Sequence, residues 1–257
     1  MTTLVRYQLE GRVARLTLDS PHNHNALSTA LVEQLHRGLD DAVSAGARVV
    51  VLGHTGPTFC AGADLSEAST VGKASGPGDI AVDRAREMTR LLRAILTTPV
   101  PVLAAVDGHV RAGGMGLVGA CDIAVAGPHS TFALTEARIG VAPSIISLTL
   151  LPKMTARAAG RYFLTGEKFD ARRAAEIGVV SLAAEDVEAA VAGLTADIAK
   201  ASPQGLAASK ALTTAAILAG FDARAEALTA QSAELFGSAQ AREGMLAFLQ
   251  KRSPDWA

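Results

Sequence analysis

Residues 101–119 read Pro101-Val102-Leu103-Ala104-Ala105-Val106-Asp107-Gly108-His109-Val110-Arg111-Ala112-Gly113-Gly114-Met115-Gly116-Leu117-Val118-Gly119. Val102 to Val106 is a short apolar run between Pro101 and Asp107-Gly108, the pattern of a strand buried on both faces. Two readings of the glycines beyond it stand. Gly114-x-Gly116-x-x-Gly119 fits the fingerprint of a dinucleotide-binding turn. That fold needs a tight turn directly after its first strand. Here residues 107–112 intervene, the position lies beyond residue 100, and the candidate ribose acid Glu136 follows Gly119 by 17 residues. The second reading starts from the helix that the glycines open. The first backbone N–H groups of a helix have no partner, and the dipole is positive there. Without a side chain, Gly113 lets a substrate oxygen approach its N–H, which makes an oxyanion site as readily as a phosphate site.

Working outward, residues 12–18 alternate as a strand, and residues 19–23 form a turn. Beyond Ser28, Leu31, Leu35, Leu39 and Val43 share one helical face, with Gly46 as a stop. Residues 49–52 read as a second buried strand, and residues 123–125 as another. Residues 53–64 are loop-rich, and residues 71–79 read as a mobile surface loop. Residues 80–96 have helical periodicity. Strands alternating with helices predict a mainly parallel α/β core. From about Asp186 the character changes to helix throughout: 187–200, 204–218, 223–236 and 241–250. The expected division is a core over 1–195 and a helical region over 196–257 that serves assembly.

The 257 residues are 49% hydrophobic and 19% charged, with a net charge of −1. This balance suits a large apolar core and argues against a general nucleic-acid or membrane-surface binder. Cys60 and Cys121 are too few for a disulfide framework, so both read as reduced thiols in packed positions. The N-terminal residues lack the basic-then-apolar order of a signal peptide, and no apolar run reaches membrane-spanning length. Arg outnumbers Lys 18 to 6, which hints at a GC-rich bacterial source. The expectation is a bacterial cytoplasmic protein. His22, His24, His54, His109 and His129 lack the paired spacing of a zinc site, so no metal is expected.

Read in order, several segments resemble the crotonase (enoyl-CoA hydratase/isomerase) family. They are Asn25-Ala26-Leu27-Ser28, Phe59-Cys60-Ala61-Gly62-Ala63-Asp64-Leu65, the run from Pro101 to Gly108, Ala112-Gly113-Gly114, Cys121-Asp122-Ile123-Ala124 and the run from Phe132 to Gly140. Leu164-Thr165-Gly166-Glu167, the run from Ala174 to Val180 and that from Arg242 to Arg252 complete the series. The resemblance spans essentially the whole chain. It implies an α/β spiral of ββα units with a C-terminal helical trimerisation region, and a homotrimer or dimer of trimers. It implies an acyl-CoA thioester as substrate, CoA being part of that substrate and no cofactor being tightly bound. The backbone N–H groups of Ala63 and Gly113 would form an oxyanion hole. Ala61, Asp64, Leu65, Ser66 and Gly114 would lie along the CoA arm. Phe248 and Lys251 resemble the C-terminal residues that reach the adenine end, often on a neighbouring subunit. His24 is a further candidate for CoA phosphates or adenine.

Hydratases of this family use two glutamates. Here the second is Glu136, while the first position holds Gly116, which can neither orient water nor carry a proton. The segment from Val141 to Ser147 is also bulkier than the Pro-and-glycine stretch usual in hydratases. One carboxylate suffices for a 1,3-proton shift, so the chemistry puts 3-enoyl to 2-enoyl-CoA isomerisation ahead of hydration of a 2-enoyl-CoA. An oxidoreductase built on the glycines and a non-catalytic family member are the remaining alternatives.

Overall fold

The computed structural model describes residues 2–64 and 77–257. Among them, strands β1 (Val5–Glu10), β2 (Val13–Leu18), β3 (Val49–His54), β5 (Val102–Val106), β7 (Ile123–Ala126) and β10 (Leu182–Ala183) form one sheet. Its order is β1-β2-β3-β5-β7-β10. Apart from the antiparallel β1 edge, its neighbours pair in parallel. The wholly apolar runs of β3 and β5 become its central strands, because only a strand covered on both faces can bury every side chain. A second sheet has the order β4-β6-β8-β9, from β4 (Thr58–Cys60), β6 (His109–Arg111), β8 (Thr131–Ala133) and β9 (Phe169–Asp170).

Helix α1 (Thr29–Ser44) begins where Ser28 Oγ accepts the N–H of Leu31 at 3.2 Å. Leu31, Leu35 and Leu39 are buried as expected. Val43 is instead 39% exposed, and Ala42 takes the inward position. At 3.6 residues per turn, a strict four-residue spacing drifts off the buried stripe by the third step. Replacing Ser28 with Ala is expected to cost about 1 kcal/mol of stability, read from the urea midpoint, because the cap bond is lost.

Three expectations need correction. Residues 53–64 are not simply loop: β4 lies within them. Residues 77–79 are not loop either, since helix α2 (Pro77–Thr97) starts at Pro77; the rest of the expected 71–79 loop lies outside the described residues. Proline suits a first helical position, where its missing N–H would have no partner. Finally, the helices expected at 204–218 and 223–236 are one. Beyond α3 (Gly113–Ala120), α4 (Ser147–Leu150), α5 (Ala156–Thr165), α6 (Ala171–Glu176) and α7 (Val187–Ala199), helix α8 runs unbroken from Pro203 to Gly237. Gly220 inside it costs about 1 kcal/mol of helix propensity. The burial of Phe221 outweighs that, contributing about 1.5–3 kcal/mol. Its ring lies under the Arg93 guanidinium of α2, 5.6 Å from ring centre to Cζ. Arg86–Glu226 and Arg93–Asp222 ion pairs extend the same α2–α8 contact.

The last helix, α9 (Ala239–Leu249), turns back onto the 3-10 turn Glu136–Ile139. Gly244 lies so close to Ile139 that a Cβ there would sit 2.5 Å from its carbonyl carbon. The C-terminal helix therefore rests on the segment that carries Glu136. No helix among the described residues is long and apolar enough to cross a membrane.

Candidate active site

The small sheet brings the candidate residues together. Strands β4, β6 and β8 are parallel neighbours, with Cys60 opposite Val110 and Arg111 opposite Ala133. All three therefore end on the same side. Ala63 comes three residues after β4, Gly113 two after β6, and Glu136 three after β8. Neighbouring strands lie about 4.8 Å apart. The crevice beyond the carboxyl ends of parallel strands is where α/β sheets bind ligands.

Ala63 is held by an isolated parallel bridge to Leu27. Leu27 N–H donates to Gly62 O at 2.7 Å, and Asp64 N–H donates to Leu27 O at 3.2 Å. In a parallel bridge the flanking residues make both bonds. The N–H of Ala63 consequently points away from Leu27, and Ala63 is exposed. Gly113 is the first residue of α3, so its N–H has no partner within the helix. The chain reaches it through Ala112, whose φ of 45° and ψ of −120° are costly for a residue with a side chain. Asn25 is fully buried and braces the approach to β4, donating to Thr58 O at 2.7 Å and Thr55 O at 3.0 Å.

The two N–H groups are close because Gly62 has no side chain. A Cβ on Gly62 would lie 2.6 Å from Ala112 Cβ and 3.2 Å from Gly113 N, and Gly62 has a φ of 98°. Gly62→Ala is therefore expected to displace one donor and lower kcat about 100-fold, checked by steady-state kinetics on an enoyl-CoA. Cys60 Sγ accepts the Gly62 N–H at 3.4 Å. Burial pushes the Cys60 thiol up to about 12, so it stays a neutral filler as expected.

Glu136 is 8% exposed. Its Oε2 is buried without a hydrogen-bond partner. Burial pushes the carboxyl up to about 7, opposed only in part by its own backbone N–H. A buried carboxyl near neutrality with an unpartnered oxygen, three residues beyond the strand next to β6, has the attributes of a proton-transferring acid/base.

The sequence profile of the enoyl-CoA hydratase/isomerase family matches residues 8–257. A solved enoyl-CoA hydratase from Mycobacterium avium is 66% identical, with a TM-score of 0.93 and complete coverage of both chains. An enoyl-CoA hydratase/isomerase structure from Pseudoalteromonas atlantica is 27% identical, with a TM-score of 0.86, covering 99% of this chain and all of that one. The mouse mitochondrial enoyl-CoA hydratase domain-containing protein 3 is 31% identical over 257 residues, covering 95% of this chain and 81% of its own. The chain belongs to the enoyl-CoA hydratase/isomerase family.

For an enzyme of the enoyl-CoA hydratase/isomerase family, the Gly114-x-Gly116-x-x-Gly119 pattern has a packing explanation. The six residues that separate β5 from the glycines hold β6. A Cβ on Gly114 would lie 2.6 Å from Cys60 O, one on Gly116 2.5 Å from Ile146 Cγ2, and one on Gly119 2.8 Å from Thr149 Oγ1. Protein atoms thus fill the places a pyrophosphate would need. The space that a side chain at Gly116 would enter is filled by Ile146, a residue the sequence marks only as part of a bulky segment.

The remaining candidates disperse. Ala61 N–H donates to His24 O at 3.1 Å, and Asp64 Oδ2 accepts from Asn23 Nδ2 at 3.1 Å. Both therefore brace the segment that carries Ala63 against the N-terminal turn. Gly114 is buried. Leu65 and Ser66 lie outside the described residues. Phe248 and Lys251 are exposed at the end of α9. His54 and His129 both engage Asp107, and His109 engages Thr131. Among the described residues, no group of three His, Cys, Asp or Glu side chains could hold a metal ion.

Proposed function

We propose that this family member catalyses a Glu136-dependent 1,3-proton shift, converting a 3-enoyl-CoA into the 2-enoyl isomer. Glu136 takes a proton from C2. The electron pair moves onto the thioester oxygen, where the Ala63 and Gly113 N–H groups would stabilise it. The proton returns at C4, leaving the double bond between C2 and C3. No water enters the balance. One observation carries the reading. Among the described residues no second carboxylate bears on Glu136, since Ile146 fills the space that a side chain at Gly116 would enter.

Hydration of a 2-enoyl-CoA is the second reading, favoured by the names of the similar proteins. A paired assay separates the two. Purified protein is supplied with 3-enoyl-CoA or with 2-enoyl-CoA. Fast isomerisation with slow hydration is the expected result, and fast hydration with no isomerisation would overturn it. A homotrimer or dimer of trimers is part of the same proposal, as is the reach of Phe248 and Lys251 toward CoA. Leu246, Phe248 and Leu249 are 47%, 67% and 69% exposed on α9, an apolar group suited to a subunit contact. Light scattering after size exclusion tests the assembly.

A further inference from the structure

Helices α3 and α4 meet through a matched pair of surfaces. Gly116 and Gly119, one turn apart on α3, receive Ile146 and Thr149, three residues apart at the start of α4. Besides its 2.5 Å approach to Ile146 Cγ2, a Cβ on Gly116 would lie 3.1 Å from Ile146 Cβ and 3.0 Å from Met88 Cε. Ile146 cannot easily swing aside. It is buried and β-branched, and the Thr149 hydroxyl lies 3.1 Å from Ile146 O and 3.2 Å from Gly116 O. Met88 extends the wall toward the oxyanion hole, since its Cε is also 3.6 Å from a Cβ placed on Gly113. Side-chain carbons of Ile146, Met88 and Leu27 thus line the face of α3 that runs from Gly113 to Gly116. A bound water needs two to four polar partners, and the Ile146 and Met88 atoms that meet α3 are all carbon.

We propose that Ile146, seated on Gly116 and backed by Met88, is the residue that sets reaction specificity by excluding water from the acyl chain. The proposal rests on the isomerase reading. With the water position filled, an enolate formed in the site has one available outcome, return of the proton to carbon. Gly116 is then one half of a two-residue exchange, and restoring a glutamate there alone would clash.

The test uses the full-length protein and four variants: Ile146→Ala, Met88→Ala, Gly116→Glu, and Gly116→Glu combined with Ile146→Gly. Each is assayed with 3-enoyl-CoA in D2O and with 2-enoyl-CoA. Ile146→Ala and Met88→Ala are expected to increase deuterium at C4 and to raise the ratio of hydration to isomerisation about tenfold. Gly116→Glu alone should lower Tm by about 5 °C through overpacking. The double variant should regain most of that loss and raise hydration about 100-fold over wild type. Met88 is only half-buried, so its variant folds even where Ile146→Ala does not. An unchanged product ratio and deuterium content in folded variants of an isomerising wild type would overturn this proposal alone. A wild type that hydrates without isomerising would overturn the reading beneath it, and that is seen before any variant is made.

Discussion

Glu136→Gln is expected to lower kcat for enoyl-CoA conversion by about 10²–10⁴-fold, the range a positioned acid/base contributes. The amide keeps the shape and removes the proton-accepting oxygen, so binding of the thioester should change little. The same carboxyl predicts two opposite pH dependences. Proton abstraction needs the ionised form, so kcat/KM should rise with pH and level off above about 7. Stability should run the other way. Below the ordinary value of 4.5, folded and unfolded chains both hold the proton, and burial carries no charge penalty. As pH rises, the unfolded chain ionises first while the folded chain keeps its proton. The stability associated with the protonated group is lost progressively until pH passes about 7. The loss is on the order of 3 kcal/mol for a shift of this size. Denaturant titrations between pH 4 and 8 should show it in the wild type and not in Glu136→Gln. Parallel curves for the two proteins would show that Glu136 is solvated, and would remove the main support for its catalytic role.

Lys210→Met is expected to destabilise the fold by about 3–5 kcal/mol, because it leaves an uncompensated charge in a nearly water-free place. The Lys210 ammonium is 2.8 Å from Asp122 Oδ2, and the two side chains are 4% and 14% exposed. It also donates to Ile95 O at 2.8 Å and Val100 O at 3.1 Å. Asp122 in turn accepts the N–H of Val102 at 2.7 Å. One amine on α8 thus ties together the end of α2, the start of β5 and the start of β7. Burial holds its pKa below the ordinary lysine value, with the attraction of Asp122 opposing the shift. In a thermal melt the single variant should lose about 10 °C. Lys210→Met with Asp122→Asn should regain part of this, since the amide still accepts from Val102 and carries no charge. Equal losses in the single and double variants would show that packing, not charge, is what Lys210 contributes.

Lys210 was invisible as a special residue in the sequence. A lysine in a helix ordinarily lies along the surface, and only the packing of α8 against α2 takes its amine out of water. The unbroken length of α8 has the same origin. Gly220 locally disfavours the helix, and the long-range burial of Phe221 outweighs it.

The central strands β3 and β5 and the stripe of α1 were legible because hydrophobic period and burial coincide there. The family, and with it Ala63, Gly113 and Glu136, was legible from short segments in a fixed order. The strands that unite those three residues were not. β4, β6 and β8 have three residues each, too few to show a period of two. The sequence by itself therefore determined the parallel α/β class, the family and the candidate acid/base. Only the tertiary structure decided that three strand ends converge, that Glu136 loses its water, and that Ile146 fills the space above Gly116. Each of those depends on atoms far apart along the chain meeting at contact distance, and no local pattern of residue types encodes such a meeting.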